Sequence, residues 1–419
     1  MRRRSMLSLL GSMPLLGRPA RLLIQDLEIL RLEGRRQTPP GVVDRQHQVQ
    51  PNHIYAELRP KEYRDQPQPG PLTTVAVAAL YLKIRTQEGL EGIYGPVDKE
   101  AAIVVLEQLR PFLKGKDALA GETLWDQLYR LNRHSSRGHF MMAISAVDNA
   151  LWDLRARYFE VPVYRLLGGP TRSKIEAYGS CLGYSVQADA VRNKCVELKN
   201  LGFRHQKWFL AYGPGDGAEG MDKNVELVRT LRESLGDGVE IMFDAFMGWH
   251  LDYAIAWAKR VEPYRPRWIE EAFAVEKIES FVALRRATSI PVASGEHFYG
   301  RWHAHEYLKA GAISVVQADP EWCGGVSELV KICALASLYD AQVIPHGHSL
   351  HAALHVVASQ SPMICPLVEY LILKMRYYYH FEKYALAPVD GMIDLPVRPG
   401  FGIEFDPSKI ERQTPFRLS

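Results

Sequence analysis

The chain has 419 residues, with 51 Lys or Arg against 48 Asp or Glu, a formal net charge of +3 and 47% apolar residues. This is enough chain for one large globular fold with a smaller companion domain, and so slight a charge excess argues against nucleic-acid or membrane partners. The five cysteines (Cys181, Cys195, Cys323, Cys333 and Cys365) are odd in number and form no CxxC, which argues against a zinc ribbon or a disulfide framework and for a reducing, cytoplasmic compartment.

The N-terminal MRRRSMLSLLGSMPLLG has a basic start and a short apolar part. Arg18 and Arg21 follow at once without an A-x-A site, so it is not read as an export signal. No apolar run reaches the roughly 18 residues of a membrane span. RLLIQDLEILRLEG (21–34) reads as a first strand. Residues 36–72, rich in Pro, Gln and Arg, read as a long loop or lid. His47, His53, Tyr55, Arg59 and Arg64 lie in it, and of these His53 and Arg59 are candidate contacts for a substrate carboxylate. TVAVAALYLKIRT (74–86) and LEGIYG form a hairpin pattern. Helical spacing follows at 99–113, about 122–132 and about 139–159. Asp148 and Asp153, on the last of these, sit among small residues and read as structural.

Residues 20–165 are thus expected to form an α+β domain, ended by the PVYRLLGG linker. From 170 to 380 eight strand patterns alternate with helical ones: KIEAYGS, FRHQKWF, EIMFD, RWIE, PVASGE, SVVQAD, QVIPH and MICPLVE. With no GxGxxG among them, they favour a (β/α)8 barrel over an open dinucleotide-binding sheet. Residues 381–419 are expected to return to the first domain.

The chemistry concentrates in a ladder: Asp244, Glu270, Glu296, Asp319 and His346. Successive gaps of 26, 26, 23 and 27 residues are the length of one βα unit, which places one polar residue at the C-terminal end of each of consecutive strands, where such barrels carry their active sites. Asp244, Glu270 and Glu296 read as an oxygen cage for Mg2+ or Mn2+ rather than zinc. Glu271 adjoins Glu270 and, by strand alternation, is expected to point away and be structural. Asp319 and His346 read as a base with its orienting acid. Lys207 is a candidate for an opposing base or a salt-bridging lysine, His297 for a second acid or a substrate contact, and Glu369 for a substrate or base contact. His205 is a weaker substrate candidate. His348, His351 and His355 read as capping and packing residues. A metal beside a substrate carboxylate stabilises the charge left when an α-proton departs. Reprotonation then gives epimerisation, and loss of a β-hydroxyl gives a 2-keto acid.

These motifs resemble the enolase superfamily in its mandelate racemase-like branch. HFMMAISAVDNALWDLRAR, VPVYRLLGG, WIEE, the Glu-containing SGEH and DPEWCGGVSEL carry the resemblance, which extends over nearly the whole chain. It implies a modified TIM-type barrel under an α+β cap, Mg2+ on Asp244, Glu270 and Glu296, and His346 as base on Asp319. It also matches Glu369 to an acid at the end of the eighth strand, and implies a homo-oligomer, a dimer or an octamer built from dimers. The racemase pattern departs in two places. Its Lys-x-Lys pair is Lys207-Trp208-Phe209 here, and Phe246 stands where that racemase has an amide. Glu296-His297, AYGPGDG (211–217) and DPEWCGG are more similar to acid-sugar dehydratases of the L-rhamnonate kind. The resemblance therefore implies dehydration of an aldonate to a 2-keto-3-deoxy acid, with epimerisation or cycloisomerisation of a related hydroxy acid as the alternative.

Overall fold

A computed structural model describes residues 21–38, 48–60 and 71–417. The N-terminal basic stretch, His47 and Arg64 lie outside these residues. β1 (Ile24–Thr38) and β2 (Thr73–Thr86) form a long antiparallel pair, joined on one side by β3 (Glu91–Tyr94). Leu27, Ile29, Leu30 and Leu32 of β1 and Tyr81, Leu82 and Ile84 of β2 are buried, so this part of the pair is covered on both faces. The helical pattern at 99–113 is realised as α-helix Lys99–Val104, a π-helical turn Val105–Leu109 and a last turn Arg110–Leu113. Pro111 lacks the N–H that a regular ladder needs there.

The 21-residue helix Gly138–Tyr158 lies between this sheet and the second layer, and most of its length is buried. Asp148 accepts hydrogen bonds from Ser327 N (2.9 Å) and Ser327 Oγ (2.7 Å), at the start of helix Val326–Ala336. Ser145 Oγ accepts from Gly324 N (2.9 Å), and Asn149 bonds both Pro320 O (3.0 Å) and Val326 N (2.9 Å). The Gly324–Gly325 pair is needed for this approach. Gly325 has φ +85°, and a Cβ there would stand 2.4 Å from Asp148 Oδ2. Asp153 accepts from Ile93 N and Phe401 N (both 2.8 Å) and pairs with Arg157. One buried carboxylate thus joins β3, the long helix and the C-terminal segment.

The second layer is a parallel sheet whose strands follow one another in chain order. They are β4 (Lys174–Ser180), β5 (His205–Phe209), β6 (Glu240–Asp244), β7 (Trp268–Glu270), β8 (Val292–Ser294), β9 (Val315–Val316), β10 (Gln342–Val343) and β11 (Leu367–Leu371). β11 returns to pair with β4, and Val343 N donates to Ile364 O (2.7 Å) across the remaining seam. This is the TIM-type barrel that the eight alternating strand patterns lead one to expect. β9 and β10 are shorter than their sequence patterns, yet pairing continues past them through Ile344 N to Val316 O (2.9 Å) and His346 N to Gln317 O (3.1 Å). β12 (Met392–Asp394) pairs with β4, and β13 (Arg412–Pro415) adds to β1. All five cysteines are free and buried. Among the described residues no helix is long and apolar enough to cross a membrane.

Inside the barrel Tyr178, Met242, Trp268, Ala293, Val315, Ile344 and Leu367 form an apolar cluster separate from the outer core. Two residues further along the same strands come Ser180, Asp244, Glu270, Gln317, His346 and Glu369. Side chains alternate with period two, so one apolar layer plugs the barrel and the next layer up is polar. That layer is the floor of the site.

Removing the Asp153 carboxylate strands two buried N–H groups and Arg157. Asp153→Ala is therefore expected to destabilise the protein by about 3 kcal/mol, read as a fall in the urea midpoint. An unchanged midpoint would show that the carboxylate does not join the layers.

Candidate active site

Asp244 and Glu270 end β6 and β7 and lie side by side in the ladder, with Phe209 on the other side of Asp244. Glu296 comes two residues after β8, carried by Gly295 at φ +129°, where a Cβ would stand 3.0 Å from Gln317 N. Phe246, Met247 and Glu271 all have positive φ, between 41° and 58°. Such backbone is costly for non-glycine residues and collects at functional sites. Here all three directly follow the strands that carry Asp244 and Glu270.

Lys207 is buried at the centre. Its ammonium pairs with Glu270 Oε1, with Glu369 Oε1 at 2.9 Å and with Asp244 Oδ2 at 3.4 Å. Burial pushes its pKa down, but Glu270 and Glu369 outweigh that and hold it well above the ordinary lysine value. Of the two readings that its sequence allows, an opposing base or a salt-bridging lysine, the structure shows Lys207 in the ion pairs of the second. Glu270 also accepts from Trp268 Nε1 (3.0 Å) and Gln317 Nε2 (2.6 Å). Glu369 Oε2 accepts from Gly347 N (2.8 Å), so this acid anchors the loop that carries His346. Burial raises Glu369, but Lys207 and His346 bring it below the usual carboxylate range.

His346 Nδ1 pairs with Asp319 Oδ2 at 2.8 Å, leaving Nε2 3.6 Å from Glu296 Oε2. On the other side of Glu296, His297 Nδ1 lies 3.0 Å from Glu271 Oε1 and 3.6 Å from Glu296 Oε1. Two histidines, each oriented by its own acid, therefore flank one carboxylate. Burial lowers the pKa of His346, but Glu296 and Asp319 reverse this and push it up to about 10. Burial likewise opposes, and the Glu271 hydrogen bond outweighs the opposition, for His297 at about 9.

Glu271 corrects the alternation argument. β7 ends at Glu270, and the positive φ of Glu271 brings its carboxylate to His297 instead of away from the site. Trp322 was not singled out from sequence. Its ring centroid lies 5.7 Å from that of His297, 5.0 Å from His346 and 5.1 Å from His348. Gln317, bonded to Glu270, was also missed; its place two residues before Asp319 is the signal that marks it.

His53 and Arg59 belong to the cap segment 48–60, between β1 and β2, which packs against the loop after β5. His53 Nδ1 accepts from Gln50 N (3.1 Å), Arg59 donates to Gly215 O, and Val49 N donates to Leu210 O (2.8 Å). The cap thus seals this side of the barrel mouth, and these partners belong to the loop rather than to the ladder. His205 is placed at the opposite end. It begins β5, two residues before Lys207, and lies 3.4 Å from Glu176, 3.3 Å from Glu240 and 2.9 Å from Arg267. At that end of the strands it cannot meet a substrate bound over His346. His355 is neutral and buried, accepting from Tyr164 N at 3.1 Å, and His351 pairs with Glu382 at 2.9 Å. Both are packing residues. His348 is not: it pairs with Glu321 and lies 3.6 Å from Asp98.

The donor set suits a hard divalent cation. Asp244, Glu270 and Glu296 are all buried, and burial together with neighbouring carboxylates pushes each up, Asp244 to about 6. A cation would relieve that repulsion with oxygen donors alone. Glu271 Oε2 is buried with no hydrogen-bond partner among the described residues. The group of three whose donor atoms all lie within 4.8 Å of one another is Glu271, Glu296 and His297, whereas Asp244 and Glu270 converge on Lys207.

A cap of this kind over a TIM-type barrel with acids at successive strand ends defines a class of barrel proteins whose site lies at the C-terminal ends of the strands, beneath the cap. Residues 57–168 match the mandelate racemase/muconate lactonizing enzyme N-terminal domain and residues 190–409 the enolase C-terminal domain-like model. The chain belongs to the enolase superfamily, in its mandelate racemase/muconate lactonizing enzyme branch. L-rhamnonate dehydratase of Saccharopolyspora erythraea is 31% identical over 350 residues, which cover 81% of this chain and 86% of that protein. A Caldivirga maquilingensis protein named provisionally as L-rhamnonate dehydratase is 35% identical over 325 residues, covering 76% and 78%. The crystal structure of rhamnonate dehydratase from Gibberella zeae complexed with Mg is 25% identical, with a TM-score of 0.77 over 93% of this chain and 96% of that one.

The raised acids make stability depend on pH. Asp244 titrates at 3.8 unfolded and at about 6 in the fold. Its contribution is present below the first value and is lost as pH rises through the second. The two histidines lose theirs only as pH rises through about 9 and about 10. Asp244 is therefore expected to cost the metal-stripped protein stability from about pH 4 to about pH 6, with Glu270 and Glu296 extending the loss to higher pH, and Mg2+ is expected to raise Tm more at about pH 8 than at about pH 5. An equal Mg2+ effect at both would contradict the buried carboxylate set.

Proposed function

We propose that the protein is a Mg2+-dependent dehydratase that converts a sugar acid, an aldonate of the L-rhamnonate kind, to its 2-keto-3-deoxy acid. The observation that carries this reading is the pair of histidines on either side of Glu296, each with its own acid. Asp244, Glu270 and Glu296 would hold the cation, with Lys207 balancing their remaining charge. When bound, the cation supplies electrophilic stabilisation to the substrate carboxylate as its α-proton leaves.

His346 takes the C2 proton on Nε2, and Asp319 keeps the imidazole in the matching tautomer. The C2–H electron pair forms the C2–C3 double bond, and the C3–O bond breaks. His297, held as an imidazolium by Glu271, donates its proton so that the hydroxyl leaves as water. The resulting enol tautomerises to the 2-keto acid. His346 must be neutral to begin, and a cation on Glu296 would withdraw the charge that most raises its proton affinity. The relatives named as rhamnonate dehydratases support this reading. Epimerisation needs a base on the opposite face of the substrate; there Lys207 is committed to three carboxylates, and Phe209 occupies the next inward position on β5.

A panel of aldonic acids that includes L-rhamnonate, incubated with Mg2+, is expected to yield a 2-keto acid. Deuterium uptake at C2 without keto acid would favour epimerisation instead. His346→Asn is expected to lower turnover by about 1,000-fold, and Glu296→Gln to weaken Mg2+ binding about tenfold or more. Undiminished turnover in the first variant would remove His346 from the base role.

A further inference from the structure

Beside the Asp319–His346 pair stands a second one with the same spacing. Glu321 and His348 are each two residues further along, and His348 Nδ1 pairs with Glu321 Oε2. The Trp322 ring lies between the two histidines, 5.0 Å from one and 5.1 Å from the other. Their backbones hold the first pair in place. Asp319 Oδ1 accepts from Glu321 N at 2.6 Å, and Asp319 Oδ2, the oxygen that meets His346, also accepts from His348 N at 3.2 Å.

The side chains of this second pair reach away from the acid ladder and into the cap. Glu321 Oε1 accepts from the Tyr94 hydroxyl at 3.0 Å, and His348 Nε2 lies 3.6 Å from Asp98 Oδ1. The Tyr378 hydroxyl stands 3.4 Å from His348 Nδ1 and donates to Pro96 O at 3.2 Å. Lys374 Nζ donates to His348 O at 2.9 Å. Tyr94 is buried and Tyr378 partly so, and desolvation, with Glu321 next among the causes, holds both phenols well above their ordinary pKa.

We propose that Glu321 and His348 are positioning residues that clamp the Asp319–His346 pair to the Tyr94–Asp98 edge of the cap, so that seating of the cap aligns the base. This rests on the reading of His346 as the base. The clamp fixes both oxygens of the acid that orients His346, and near-attack alignment of this kind is sensitive to displacements of about 1 Å.

The test compares His348→Ala with His348→Asn, whose side-chain nitrogen can stand near the position of Nδ1 and keep the bond to Glu321. On the aldonate that the wild type dehydrates best, His348→Ala is expected to lower kcat about tenfold or more while KM and calorimetric Mg2+ affinity stay within about twofold, and His348→Asn is expected to recover most of the loss. Hydrogen exchange supplies a readout free of substrate. His348→Ala should speed exchange of amides in both 344–350 and 92–98, and His348→Asn should not. An unchanged kcat in His348→Ala, equal losses in the two variants, or faster exchange in only one of the two segments would overturn the clamp. A wild type inert on the whole panel would count against the proposed function, and the exchange arm would still decide the clamp.

Discussion

Lys207 carries a positive charge into the barrel at 1% exposure, and Asp244, Glu270 and Glu369 meet it there. Charges this deep must be paired or neutralised, since desolvating an isolated one costs several kcal/mol. The apolar layer beneath, from Tyr178 round to Leu367, excludes water from below. The acids above it cannot all ionise on their own, and burial with mutual repulsion drives Asp244, Glu270 and Glu296 upward. One ammonium does not balance them. The remaining negative charge suits the divalent cation of the proposed reaction, and it raises the proton affinity of His346 and His297.

Orientation comes from outside the barrel. The long helix Gly138–Tyr158 uses Ser145, Asp148 and Asn149 to fix the segment that starts at Pro320. That segment carries Glu321 and Trp322, and Asp319 precedes it. The backbone N–H groups of Glu321 and His348 then hold Asp319, and Asp319 holds His346. The Asp319–His346 pair, the base and its orienting acid in the proposed reaction, is thus positioned by a continuous run of hydrogen bonds that begins on a helix of the cap.

Much of this was legible in the residues. The ladder is visible because each of its residues closes an apolar run about one βα unit after the last, and β6 and β7 end where those runs end. Other parts were not legible, for physical reasons. Glu271 escapes strand alternation because the strand stops one residue earlier and the chain turns through positive φ. Lys207 reads equally as a base or an ion-pair partner until its three carboxylates are seen. His205 lies on the same strand and the same inward face as Lys207, but at the far end of the barrel, and period two alone does not give the end. His348 looked like a helix residue in HSLHAALHV, yet its partners, Glu321 and Asp98, come from distant segments that no local pattern connects to it.

In the proposed reaction the cation sits among Asp244, Glu270 and Glu296, with the two histidines on either side of the reacting carbons. A crystal structure with Mn2+ and the best sugar acid of the panel tests it directly, because the anomalous signal locates the metal. The peak is expected among those three carboxylates, with His346 Nε2 facing C2 and His297 facing the C3 hydroxyl. A peak held instead by Glu271, Glu296 and His297 would contradict it, because His297 would then be a ligand and could not serve as the acid.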